Sequence, residues 1–275
     1  MYYLKMLYFI STPIGNLNDI SLRAIDVIRS SDYLYAEDTR NINKLLNFIN
    51  LKVKSKSFHE HNEHKVSLEI IQNLKNGNIV SIVSDAGTPV VSDPGYKLIQ
   101  ICLKENIKYT LIPGPSSVLS SLVMSGLSHD RFSFYGFIPR KAGDQNRFFE
   151  TLSNDVKTSI VFESPKRIKK TLNNLQKFVG KNRKISLCKE MTKIHEDVFR
   201  GKISEIIKDI ENDQINLKGE LVLVIEGANI KVDLNINMQI KKEFLSKLSA
   251  ADSAKLISML TGKNKRDIYK KLIEK

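Results

Sequence analysis

Apolar and polar positions follow two alternating periods along the first part of the chain. "LYFIST" (Leu7–Thr12) is a short aromatic and β-branched run, which suits a strand better than a helix. "DISLRAIDVIRS" then sets Ile20, Ala24, Val27 and Ile28 on one helical face, with Asp19 as the expected N-cap. "YLYAEDTR" reads as a strand and loop, "NINKLLNFI" as a helix, and "IVSIVSD" as a buried strand. "GYKLIQICLKEN" reads as a helix and "IKYTLIPGPSS" as a strand with its turn. Strand and helix in this alternation predict a mainly parallel sheet covered on both faces.

"SGLSHDR" (Ser125–Arg131) breaks the rhythm, and a second set of elements follows. "FSFYGF", "TSIVFES", "KISLCKE" and "GELVLVIEGA" read as strands, with "PKRIKKTLNNLQKFVG" as a helix closed by Gly180. After Ala228 a polar stretch leads to "IKKEFLSKLSAADSAKLISMLTGKNKRDIYKKLIEK", read as three short helices with Gly262 ending the second. The expected organisation is an N-terminal α/β domain (1–117), a smaller C-terminal α/β domain (118–230) and a helical extension (231–275). No internal repeat or low-complexity tract is present.

Composition sharpens this picture in two ways. With 275 residues, 41% of them apolar, the chain can bury a substantial core. No window approaches the roughly 18 consecutive apolar residues of a membrane span. The apolar start runs into Pro13 and Gly15 without a small-residue cleavage site. Cys102 and Cys188 sit apart in apolar surroundings, which suits a reducing compartment, and a cytoplasmic location is expected. The charge is +13, and it is clustered. Lys166 to Lys184 carries eight basic residues and no acidic one; Lys241 to Lys275 carries ten basic and four acidic. Such stripes point to a polyanionic partner such as a nucleic acid, the alternative being the solvated face of a helix.

Three loops carry the candidate chemistry: "STPIGN" after the first strand, "SDAGTPVVSDPG" after the fourth and "IPGPSS" after the fifth. Each joins a Gly or Pro turn to small polar side chains, which lets backbone approach a ligand; the alternative is a set of tight strand-to-helix turns. In an open parallel sheet, ligands gather beyond the carboxyl ends of the strands. Neither G-x-x-x-x-G-K-[ST] nor G-x-G-x-x-G is found, so nucleoside triphosphates and dinucleotides are disfavoured. The loops hold no Lys or Arg, and Asp85 ends the strand expected to be central. A carboxylate there suits a cation or a hydroxylated group. S-adenosylmethionine, with a sulfonium, an ammonium and a ribose but no phosphate, meets that description.

At these residues the sequence resembles the bacterial 16S ribosomal RNA cytidine 2′-O-methyltransferases, a branch of the tetrapyrrole methylase superfamily. The blocks that carry the resemblance are "STPIGNLNDIS", "AEDTR", "HEHNE", "SDAGTPVVSDPG", "IPGPSS", "FYGFIPRK", "FESPKRI", "KEMTKIHED" and "GELVLVIEG", in order from residue 7 to about 228. The chain departs from the pattern at Ser11, at Ser117, and in "KEMTK" where R-E-L-T-K is commoner. The resemblance implies a two-domain tetrapyrrole-methylase-like fold, S-adenosylmethionine as methyl donor with no metal, a homodimer, no membrane association, and the small ribosomal subunit as substrate. It implies a donor pocket of Pro13, Asp85, Gly87, Thr88, Ser116 and Ser117, completed by Phe162 and Met191 from the second domain.

A ribose hydroxyl is a poor nucleophile, so a nearby carboxylate or a Lys of depressed pKa would assist. Glu37, Asp38, Glu60, Glu63, Glu163, Lys189 and Glu190 are the candidates. Arg40, Arg140, Lys141, Lys166 and Arg167 are expected to hold phosphates. "EDTR" can equally be a helix N-cap, and the His59, His61, His64 cluster can be read as a metal site. His195 and the apolar positions of the tail helices have structural readings beside functional ones. Methylation of a porphyrin-like ring, non-catalytic ribosome binding and protein methylation are the competing functions.

Overall fold

The computed structural model describes residues 4–229 and 238–273 and contains two compact units, Met1–Gly227 and Ala228–Lys275. The polar stretch beyond Asn229 and the expected boundary at 230/231 lie outside the described residues.

The first unit begins with the predicted alternation. Strands β1 (Leu7–Ile10), β2 (Tyr33–Ala36), β3 (Ser55–Ser57), β4 (Val80–Val83) and β5 (Tyr109–Ile112) are interleaved with helices α1 (Leu22–Ser30), α2 (Thr39–Phe48), α3 (Glu63–Lys75) and α4 (Tyr96–Lys104). The sheet order is β3-β2-β4-β1-β5, with every pairing parallel and β4 in the centre. Alternate strand residues face opposite layers. Tyr8, Ile10, Leu34, Ala36 and Val83 pack with α1 and α2, whereas Leu7, Phe9, Tyr35, Val80 and Ile82 pack with α3 and α4. β3, "SKS", has no apolar run to announce it and survives as an edge strand paired to β2.

One local expectation is corrected. Asp19 closes a 3-10 turn, Leu17–Asp19, and the cap of α1 is Ser21, whose side chain accepts from Ala24 N at 3.1 Å. Ile20 is extended (ψ 130°) and therefore lies outside the helix.

The second half of this unit is a mixed sheet: β6 (Phe132–Phe137), β7 (Thr158–Glu163), β8 (Lys184–Lys189), β9 (Asp197–Lys202) and β10 (Leu221–Ile225), in the order β6-β7-β10-β8-β9. Only β6–β7 is parallel. Helices α6 (Ala142–Asn154), α7 (Pro165–Val179) and α8 (Ile203–Glu211) bury Phe149, Leu152, Leu172, Leu175 and Ile206 on one face. The other face is covered by α5 (Ser117–Ser125), whose Val118 and Leu122 meet Ile160, Cys188, Val222 and Val224. Ile14, from the loop after β1, joins that same cluster. The chain thus leaves the first sheet at β5 and immediately covers the second.

In the second unit, α9 (Met238–Lys247), α10 (Ala250–Thr261) and α11 (Lys265–Ile273) enclose Ala254, Ile257, Ile268 and Leu272. Gly262, at φ +66°, ends α10 as the sequence predicted, a left-handed conformation that glycine adopts freely. Among the described residues no helix is long and apolar enough to cross a membrane.

Candidate active site

Three loops meet at the carboxyl edge of the parallel sheet because they are fastened to one another. Thr12 and Gly87 exchange backbone hydrogen bonds (Thr12 N to Gly87 O 2.9 Å; Gly87 N to Thr12 O 3.0 Å). Thr12 Oγ1 donates to Ser84 O at 3.1 Å, and Ser11 Oγ to Thr88 Oγ1 at 3.2 Å. Gly87 sits at φ +80°, where a side chain would strain the crossing. The third loop is held to the first by close packing, since a Cβ on Gly114 would stand 2.9 Å from that of Ser11.

Beyond Gly87 the loop is under strain. Val90 and Ser92 have φ of 74° and 69°, and a β-branched residue in this region is a genuine outlier. Such conformations cost on the order of 1–3 kcal/mol and persist only when their surroundings enforce them. The far end of the loop is anchored by Glu63. Its buried carboxylate accepts from Gly95 N at 3.0 Å and Lys97 N at 3.2 Å, fixing the start of α4. Glu63, a base candidate from sequence, is therefore a structural acceptor.

The second sheet supplies the opposite wall. Glu163, 3% exposed, uses Oε1 to accept from Ser164 N at 2.7 Å, and Oε2 to accept from Thr171 Oγ1 at 2.7 Å and to pair with Arg167 at 3.2 Å. Arg167 also donates to Ile138 O and Pro139 O, both at 3.0 Å. Glu190 (φ 50°) accepts from Glu220 N and from Lys193 Nζ, each at 2.8 Å, and lies against Gly219.

Between these walls lies a cavity of about 640 Å³, within the range of small-ligand sites. It is lined by residues 85–88 and 91–93, by 116–119, by Phe134, Phe137 and 162–165, and by 219–222. In a chain of net charge +13, this lining holds four carboxylates (Asp85, Asp93, Glu163 and Glu220) and no Lys, Arg or His. Apolar side chains from Val118, Leu119, Leu221, Val222 and three phenylalanines fill the rest.

The carboxylates differ in state. Burial, reinforced by the charges of Glu37 and Asp85, pushes Asp93 up to about 7, against a hydrogen bond from Ser84 that acts the other way. Glu37 is also raised, first by burial and then by Asp85 and Asp38, while His59 opposes the shift. Asp38 is held down to about 2, chiefly by its hydrogen bonds from the Arg40 side chain and then from Arg40 N. That carboxylate is the N-cap of α2, accepting from Arg40 N at 2.8 Å and Arg40 Nη2 at 2.5 Å. The capping interpretation of "EDTR" is thus the one realised, and so acidic a carboxylate is a feeble base. Asp85 accepts from Asp38 N and Asn41 Nδ2, each at 2.9 Å, so the cap of α2 and the cavity rim are one network.

Of the predicted donor-pocket residues, Asp85, Gly87, Thr88, Ser116, Ser117 and Phe162 line the cavity. Pro13 and Met191 do not; both are buried, Met191 in the apolar cluster beneath α5. Among base candidates, Glu163 lines the cavity but is committed to its neighbours, Glu60 is exposed ahead of α3, and Lys189 is buried at the end of β8. Arg40, Arg140, Lys141 and Lys166 are exposed, whereas Arg167 is turned inward. Among the described residues no group of three or more His, Cys, Asp or Glu is arranged to hold a metal ion. Sequence reasoning missed Asp93, Ser92, Phe134, Phe137 and the 219–222 strand entry; Asp93 was in plain view as the second Ser-Asp of "SDAGTPVVSDPG".

The profile described as Tetrapyrrole (Corrin/Porphyrin) Methylases matches residues 6–207. A protein of Streptococcus pyogenes serotype M3 named Ribosomal RNA small subunit methyltransferase I is 37% identical over 269 residues, covering 96% of this chain and 93% of that protein. One of the same name from Thermotoga maritima is 41% identical over 221 residues, covering 80% of this chain and 98% of that protein. The crystal structure of a diphthine synthase superposes with a TM-score of 0.62 at 14% identity, over 80% of this chain and 90% of that one, a likeness of fold.

Proposed function

The chain belongs to the tetrapyrrole (corrin/porphyrin) methylase family, and from that premise we propose that it transfers a methyl group from S-adenosylmethionine to 16S ribosomal RNA. The acceptor in this proposal is the ribose 2′-hydroxyl of a decoding-centre cytidine, presented on the small ribosomal subunit. Support for the substrate comes from the relatives' names and from the basic face of α7, where Lys166, Lys169, Lys170 and Lys177 are exposed. Support for the donor comes from one observation, the cationless acidic lining of the cavity.

The residues present fit the donor. Four carboxylates favour a sulfonium and an ammonium, and the Ser116–Ser117 start of α5, capped by Ser116 Oγ, offers hydroxyls rather than cations. The apolar wall of Val118, Phe162, Leu221 and Val222 suits a flat heterocycle. When bound, the donor supplies an activated methyl on a good leaving group, so the protein has chiefly to orient the acceptor and exclude water. In that transfer the acceptor hydroxyl would have to give up its proton to a residue of the cavity. Asp93 is the lining group suited to take it, because its pKa of about 7 matches a base working near neutrality. The charges of Glu37 and Asp85 sustain that basicity. Pro13 and Met191 support the pocket from outside its lining, and a homodimer remains part of the proposal. Arg40, Arg140 and Lys141, all exposed, are proposed as contacts to the RNA rather than to the donor.

Incubation with labelled S-adenosylmethionine and small subunits, followed by mass mapping of the RNA, tests the reading. A single 2′-O-methylcytidine supports it; no incorporation into RNA, or methyl on a base, refutes it.

A further inference from the structure

The wall that the second sheet supplies to the cavity contains an irregularity between β6 and β7. Along β6 and β7, Phe134 pairs with Ile160 and Phe137 with Phe162, so three steps of one strand oppose two of the other. This is a β-bulge, centred on Gly136 at φ +67°, and such bulges re-aim side chains beside active sites. In a regular strand, residues three apart face opposite sides. Here both Phe134 and Phe137 turn toward Phe162, at ring distances of 4.9 and 5.3 Å. Phe134 and Phe162 are half-buried, whereas Phe137, 64% exposed, stands at the mouth.

Several contacts hold the backbone that follows Phe137 in place. Ile138, the next residue, is 1% exposed, and its N–H donates to Phe162 O at 3.2 Å. The carbonyls of Ile138 and Pro139 are both gripped by Arg167, and Gln145 Nε2 donates to Pro139 O at 3.3 Å. A Cβ on Gly136 would stand 3.4 Å from Ser92 Oγ, so the bulge abuts the strained loop of the first sheet. Arg140 and Lys141, three and four residues on, are exposed cations. An aromatic face followed by basic side chains is what single-stranded nucleic acids use, the bases stacking and the phosphates pairing with the cations.

We propose that Phe137 is a positioning residue on which the base of the acceptor nucleotide stacks, with Arg140 and Lys141 engaging the adjoining phosphates. This rests on the reading of the protein as an RNA methyltransferase. Stacking on Phe137 holds the nucleotide out of its own strand, so that its ribose reaches into the cavity past Phe162. Stacking tolerates any base, so Phe137 supplies position, and selection of cytidine falls to other contacts.

The chain has no tryptophan, so F137W introduces a single reporter. In the full-length protein, F137A is expected to lower kcat/KM for small subunits by about 10- to 100-fold, the range for losing one stacked base. Its affinity for S-adenosylmethionine should fall much less than its kcat/KM on subunits and its sedimentation should be unchanged, while F137W, which keeps an aromatic face, should recover activity. The emission of F137W should be quenched by a cytidine-rich single-stranded RNA and not by S-adenosylmethionine alone. Unchanged turnover in F137A, an equal loss of donor affinity, a changed oligomeric state, or quenching by the donor alone would each overturn the assignment. Wild-type protein that fails to methylate subunits while F137W is still quenched by RNA refutes the proposed function but leaves the stacking site standing.

Discussion

The cavity and the outer face of α7 adjoin in sequence, Pro165 lining the one and Lys166 opening the other, yet they sort charge in opposite ways. The cavity collects Asp85, Asp93, Glu163 and Glu220 and excludes every cationic side chain, whereas the face collects Lys166, Lys169, Lys170 and Lys177. Net charge therefore says little about either region. A chain at +13 that keeps a small acidic interior suits the proposed function, in which a cation and a polyanion are held by different regions. Arg167 marks the border between them. Although it belongs to the lysine-rich stripe in sequence, its guanidinium is spent on Glu163 and on two carbonyls.

Asp93→Asn should break the comparison most severely. General-base assistance contributes roughly 10²–10⁴-fold, so kcat should fall by that order. The wild-type rate should rise with pH through about 7, where the carboxylate loses its proton, and the variant's rate should be flat there. A pH–rate profile on saturating subunits measures both. The next largest effect is on stability: Arg167→Ala leaves the carboxylate of Glu163 buried without its ion pair, at a cost of about 3 kcal/mol. Urea unfolding reads this directly, and a change below about 0.5 kcal/mol would return Arg167 to the exposed stripe. The smallest effect is expected from Lys166→Glu, Lys169→Glu and Lys170→Glu combined. KM for subunits should rise about tenfold and its salt dependence should flatten, with donor affinity and melting temperature unaltered.

The regular parts of this molecule were legible in sequence because period and burial agree. β4 was read as the central strand from an apolar run ending on Asp85, and it is the middle strand of five. The closures of α7 at Gly180 and of α10 at Gly262 followed from glycine at helix ends. Elements whose stability comes from partners were not legible. β9, "DVFRGK", is a charged edge strand with no buried residue, and it exists because β8 pairs with it along its whole length. α5 follows a first-sheet strand, and nothing in "SVLSSLVMS" announces that it covers the second sheet.

At the site, the loop chemistry was visible and the division of labour was not. Glu63, Glu163 and Glu190 are as acidic in sequence as Asp93, and only their partners show that three of them hold the scaffold. The same holds for Phe137. "FYGF" contains the glycine that permits a bulge, but the turn of the ring toward Phe162 depends on the register between β6 and β7.

The acidity of the cavity is tested most directly by titrating S-adenosylmethionine calorimetrically into the wild-type protein and into Ser117→Arg, which sets a cation among the four carboxylates. One donor per chain should bind the wild type, and the variant should bind at least about 100-fold more weakly, a difference of about 2.8 kcal/mol. Equal affinities in the two proteins, or no binding to the wild type, would contradict it.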